Sequence, residues 1–213
     1  MASRFRCRRH AGEQGAALVT VLFLTLAVLM MSVSSTRASL AAVKSARYER
    51  DRHVAHQAAR AAMVDAERDI AGAAGPASPR TAIFAAADAS AFAERCTGAG
   101  ERTGLCRVAP GAPAWQAVDL GSEAAVEYGR YTGAVMPLGA GLLPARAPRY
   151  IVELLATPAS APAYRITAIG FGANPSTRVV LQSYYRRASS GAPAQRLGWR
   201  EIANWPELHA AAN

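Results

Sequence analysis

Between Ala16 and Thr36 the chain has 21 consecutive residues without a charge, and nothing else in it restricts the fold as much. As an α-helix this run would be about 31 Å long at about 1.5 Å per residue, which matches a hydrocarbon core of about 30 Å. The h-region of a secretory signal is shorter, about 7–15 residues, and ends at a small-residue cleavage site. Here the C-terminal edge, SVSSTRASLAAVKSARYER, continues into a helical pattern without a break. Before the run stand the polar tripeptide EQG, ending in Gly15, and the basic stretch RFRCRRH. Arg4, Arg6, Arg8 and Arg9 should hold this end in the cytoplasm, with the rest of the chain outside.

From Val33 to about Ala71 there is no Pro or Gly, and Ala, Arg and Glu favour helix. Leu40, Val43, Val54, Ala58 and Ala61 fall on one predicted face. Asp51 with Arg47, and Asp65 with Arg68, stand at ion-pair spacing. Gly72 and GPASP at 75–79 end the pattern. The prediction is one helix of about 55 residues, roughly 80 Å long, apolar over 16–36 and amphipathic over 37–71. A simple anchor needs only about 20 residues. A helix built in two such halves suits a chain shared between a bilayer and a protein assembly.

The 213 residues allow one modest globular domain beyond this helix. The net charge is +9, of which the leader 1–15 contributes +3. The remaining basic residues neither cluster nor interleave with stacking aromatics, which disfavours nucleic acid as a partner. Cys7 lies in the leader, while Cys96 and Cys106 bracket the polar loop CTGAGERTGLC. In an exported domain that pair forms a disulfide, worth roughly 2–3 kcal/mol in the loop-entropy picture. Zinc needs four ligands at short spacing, and no His or second Cys pair is nearby.

Four stretches, in order, resemble one family. A basic leader ending in glycine, followed at once by an apolar helix, is similar to the type IV pilin class. Within that class QGAALVTVLFLTLAVLMMSVSS, RDRHVAHQAARAAMVDAERDI (50–70), YRITAIGFGANPSTRVVLQSYYRR (164–187) and RLGWREI (196–202) resemble the PilX family of minor pilins. The likeness is strong over the first 70 residues and over 150–202, and weak over 72–149. It implies cleavage between Gly15 and Ala16 by a prepilin peptidase and N-methylation of Ala16. It also implies an inner-membrane, single-pass protein with a periplasmic domain that later joins the pilus, at its tip or in its shaft. Implied partners are other minor pilins, the major pilin, the inner-membrane assembly platform and a PilY-type tip adhesin. No cofactor or metal is implied. Two positions depart from pattern. Thr20 stands where major pilins carry a glutamate, which argues for a subunit that seeds or caps rather than one that fills the shaft. Arg60 stands where the family usually has Glu.

The globular region 72–187 should hold strands at 115–120, 125–132 with a bulge at Gly129, 150–158, 165–172 and 177–187, with a short helix over 81–96. The last three strands form a predicted antiparallel meander, with Ile166, Ala168 and Gly170 on one face and Thr167, Ile169 and Phe171 on the other. Packed on the amphipathic half-helix, this is an α+β pilin-like fold with an antiparallel sheet. The tail 188–213 begins as a linker and carries Trp199 and Trp205, which should dock on their own domain or, alternatively, on a partner. Glu49, His53 and His56 share a helical face but lack a fourth metal ligand. No GxSxG, HExxH, Walker or GxGxxG sequence stands in a suitable context, so an enzyme is not expected. The reading is a PilX-like minor pilin of a priming or tip complex, supporting twitching, adhesion and aggregation. The alternative is a K-type minor pseudopilin of type II secretion, which also lacks the glutamate but is usually longer.

Overall fold

The computed structural model describes residues 14–108, 111–155, 162–189, 191 and 193–213. Helix α1 runs Gln14–Ala71. The chain divides into two compact units, one ending at Tyr48 and one spanning Glu49–Asn213. In the first unit, residues 15–48 are helical and exposed throughout.

In the second unit α1 packs on a six-stranded sheet. After α1 come α2 (Pro79–Ala86), 3-10 turns at Ala89–Ala91, Glu94–Cys96 and Gly100–Arg102, β1 (Leu105–Arg107), α3 (Ala114–Ala117) and β2 (Val126–Glu127). Then follow β3 (Arg149–Leu154), β4 (Ala163–Phe171), β5 (Arg178–Arg186), β6 (Gln195–Glu201) and α4 (Trp205–Ala211). The strand order is β1-β3-β4-β5-β6, with β2 also on β3. β3, β4, β5 and β6 pair antiparallel in sequence, as in Val152↔Ile166 and Ala168↔Leu181. β1 lies parallel to β3, with Leu105 opposite Val152, so the sheet is mixed rather than antiparallel throughout.

The alternation in β4 assigns its two faces. Tyr164, Ile166 and Ala168 join Ala55, Ala59, Ala62, Met63, Ala66 and Ile70 of α1 in one core. Ile169 and Phe171 join Ile151, Trp115, Leu120, Ile202 and Trp205 in a second core on the opposite face. Of the predicted Val54–Ala58–Ala61 line, Ala58 is buried and the other two are half-buried, so the stripe centres one position further round the helix. Ala55, Ala59, Ala62 and Ala66 have the smallest side chains that still fill a core, and they let the helix come closest to the sheet. Gly170 shows how close. A Cβ built there would lie 2.1 Å from Ala55 O and 2.3 Å from Ala59 N.

Other expectations change as well. WQAVDL forms α3 and a turn, not a strand, because Pro113 opens a helical turn and Trp115 anchors it in the second core. In AVEYGRYT only Val126 and Glu127 form a strand, and Gly129 takes a φ of +80° as the chain turns away. The segment 81–96 is split into α2 and two 3-10 turns, since Ala87 is left-handed and ends the helix. The tail contributes β6 and α4 to the domain. Asp51 and Asp65 do not pair with Arg47 and Arg68. Asp51 accepts from Asn174 N at 3.1 Å in the β4–β5 turn, and Asp65 accepts from Gly129 N at 2.8 Å and from the Thr132 hydroxyl.

Candidate functional site

In the first unit α1 starts at Gln14, so Gly15 and Ala16 sit exposed in its first turn, and nothing crowds Gly15. The basic residues Arg4, Arg6, Arg8 and Arg9 lie outside the described residues. Leu18, Phe23, Met30 and Met31 are among the apolar side chains that stand bare. This helix is long and apolar enough to cross a membrane. Water does not tolerate so large a continuous apolar surface, which calls for lipid or other helices around it. Several of its hydroxyls are satisfied within the helix. Thr20 Oγ1 donates to Ala17 O at 2.9 Å, and Thr25 and Ser32 likewise donate to carbonyls a turn back. Thr20 therefore carries no polar group that needs a partner, unlike a carboxylate at the same position.

In the second unit the end of α1 is locked by a buried ion pair. Asp69 and Arg80 are both fully buried. Arg80 Nε lies 2.8 Å from both Asp69 oxygens, and Arg80 Nη2 lies 2.7 Å from Oδ2. Tyr150 Oη donates to Asp69 at 2.9 Å, and Arg80 donates to the carbonyls of Glu101 and Thr103 at 2.6 and 3.0 Å. The guanidinium lies 3.8 Å from the centre of the Tyr131 ring. Burial alone would weaken its charge, but hydrogen bonds and attraction from Asp69 outweigh that and hold it above its ordinary value. This one cluster joins α1, α2, β3 and the loop before β1.

The Cys96–Cys106 disulfide closes that loop, with Cα atoms 4.4 Å apart and both residues buried in the second core. On the same sheet face the fully buried Glu153 accepts two bonds from Arg165 across β3 and β4, at 2.7 and 2.8 Å. Trp205 docks inside its own domain, its indole donating to Trp115 O at 2.8 Å. Trp199 does not bury.

Along β6, three side chains reach back to α1. Arg196 makes a two-pronged pair with Glu67 at 2.6 and 2.8 Å. Trp199 meets His56 edge-on, with ring centres 6.1 Å apart. Glu201 pairs with Arg52 at 2.5 Å. The RLGWREI stretch thus forms a seam of R, W and E on positions 67, 56 and 52 of α1. His53 is elsewhere, in an apolar groove with Val54, Ala58, Met136, Leu142 and Leu143. Among the described residues no group of three or more His, Cys, Asp or Glu converges as a metal site.

Sequence reasoning overlooked the Asp69–Arg80–Tyr150 cluster and the β6 seam. Arg80, just past the helix-ending GPASP, gave no sign that it would turn inward. The seam does leave a trace, because Arg196, Trp199 and Glu201 all lie in RLGWREI, one of the four stretches that resemble the family.

A helix with small residues packed along a mixed sheet, preceded in sequence by a membrane-length apolar segment, defines a pilin-like α+β protein. Residues 70–187, more than half of the chain, match the family described as type IV pilus assembly protein PilX, C-terminal, and the chain belongs to that family. The match includes 72–149, where the sequence likeness is weak to the eye. No curated protein and no solved structure gives a significant match. Membership assigns a role in type IV pilus assembly and, in general terms, interaction with other components of that assembly.

Proposed function

We infer that the chain is a minor pilin, made as a precursor, cut between Gly15 and Ala16 by a prepilin peptidase and N-methylated at Ala16. The observation that carries this reading is the exposed apolar stretch of α1, in the same chain as a PilX domain. Such a stretch is stable in a bilayer or against other apolar helices, and a pilus subunit passes from one to the other. The arginines at 4, 6, 8 and 9 keep the leader cytoplasmic and send the Glu49–Asn213 unit to the periplasm. With Thr20 satisfied inside its own helix, the subunit asks no neighbour for a terminal amine. That favours a place in a priming or tip complex with other minor pilins, serving twitching, adhesion and aggregation, over bulk use in the shaft. The role is structural and involves no catalysis.

The test is intact mass and N-terminal mapping of the protein from membranes, with and without the peptidase gene. The expected terminus is N-methyl-Ala16, present only with the peptidase. A terminus at Met1 in both strains, or a cut after Thr36, overturns the reading. Loss of secreted enzymes with pili intact, on deletion, points instead to type II secretion.

A further inference from the structure

The two edges of the sheet are finished differently. On the β3 side, the short β1 and β2 and the bridge from Ala93 to Cys106 close the edge. On the other side β6 runs for seven residues, and among the described residues no strand pairs with its outer edge. Ile202 N donates to Val180 O at 2.9 Å, and Gln182 stands opposite Arg200. By alternation the backbone N–H and C=O groups of Trp199 and Glu201 point away from β5. A bare edge of this length is a template for another strand unless charges, proline or a bend guard it. β6 contains no proline. Two of its charges are paired on α1, Arg196 with Glu67 and Glu201 with Arg52, while Arg200 meets only the neutral Gln182 Oε1 at 3.0 Å. Beside Arg200 the edge carries two exposed apolar side chains, Leu197 and Trp199, 54% and 53% exposed. Gly198 leaves open space beside them, since a Cβ there would meet nothing within 4 Å.

We propose that the outer edge of β6 is an interaction surface that takes up an extended strand from a different protein, one carrying acidic and large apolar side chains. The proposal rests on the pilus reading only for where the partner is found. Acidic character follows from Arg200, which bonds the neutral amide of Gln182 and has no carboxylate partner among the described residues. Apolar character follows from Leu197 and Trp199. A second copy fits poorly. β6 itself carries a single acidic residue, Glu201, and that one is already paired with Arg52.

The test is hydrogen exchange of the full chain, comparing native membranes of piliated cells with dilute, monodisperse protein in detergent. The amides of Trp199 and Glu201 should exchange at least about tenfold more slowly in membranes, while those of Val152 and Ile166 stay unchanged. Equal exchange at Trp199 and Glu201 overturns the proposal. Protection that arises in detergent simply on raising the concentration makes the occupant a second copy and also overturns it. A second comparison uses Trp199→Ala, which removes the side chain, and Trp199→Pro, which also removes the outward N–H. Association in membranes should fall further for the proline variant, at equal melting temperature. If Trp199→Pro does not fold, the wild-type exchange result decides alone. The terminus at Ala16 is read from the same membrane sample. Protection of β6 with an uncut leader would refute the pilus reading and keep the strand site, and an unprotected β6 with N-methyl-Ala16 would do the reverse.

Discussion

Replacing Gly170 by alanine tests the close packing of α1 on the sheet. The added methyl would lie 2.1 Å from Ala55 O and 2.3 Å from Ala59 N, and both are backbone atoms of a helix that cannot rotate aside. Ordinary contact needs more than 3 Å, so the helix or β4 must move by about 1 Å along the whole Ala55–Ala66 stripe. Overpacking of this kind costs typically about 1–3 kcal/mol, and more where backbone obstructs. Alanine returns about 0.5–1 kcal/mol through lower chain entropy in the unfolded state. At the upper end of that cost, about 3 kcal/mol, the expected net loss is about 2 kcal/mol, which for a domain of this size lowers Tm by roughly 4–8 °C. The assay is thermal unfolding of the full chain in detergent, followed by near-UV circular dichroism. Gly198→Ala in β6 is the control, since a Cβ there meets nothing within 4 Å. A Gly170→Ala melting point within about 2 °C of wild type would refute the close approach and the reading of the alanine stripe as its cause.

Arg80→Met should cost about 3–5 kcal/mol in urea unfolding at neutral pH, because it leaves the buried Asp69 without its cation. Burial already pushes the Asp69 carboxyl up, so the folded state binds its proton more readily than the unfolded chain, and this contribution to stability falls as pH rises through the folded value. The Arg80→Met variant should therefore regain part of its loss on acidification, read as a smaller gap from wild type at pH 5 than at pH 7. Cys96→Ala with Cys106→Ala should lower stability by about 3 kcal/mol, measured by the same unfolding curves. Trp205→Ala should cost about 3–5 kcal/mol, since the ring fills the second core. Arg196→Ala should cost no more than about 1 kcal/mol despite its two-pronged pair with Glu67, because that pair is partly solvated.

The sequence displayed those parts of the fold whose residues carry periodicity. The uncharged run and the alternation of Ile166, Ala168 and Gly170 were legible because each follows the period of its own element. Strand β6 was not, since QRLGWRE has a central glycine and three charges, and it becomes a strand only because β5 offers a ladder and α1 offers Glu67, His56 and Arg52. Likewise WQAVDL alternates like a strand, but Trp115 is placed by Trp205, 90 residues on. The apolar helix could be read directly, while the Asp69–Arg80–Tyr150 cluster depends on four elements meeting and has no local signature.

The second core has a consequence for the order in which the domain is made. All buried residues of the helix-side core have emerged once Tyr185 has been synthesised. The opposite core still lacks Ile202 and Trp205, which are among its last contributors. A chain synthesised from its N-terminus can therefore seat α1 on the sheet while the other face remains open. For that interval Trp115, Phe171 and the cysteine loop are exposed to solvent, to oxidants and to proteases. Closure then depends on the arrival of α4, so a nascent domain stalled before Trp205 presents one finished face of the sheet and one unprotected face.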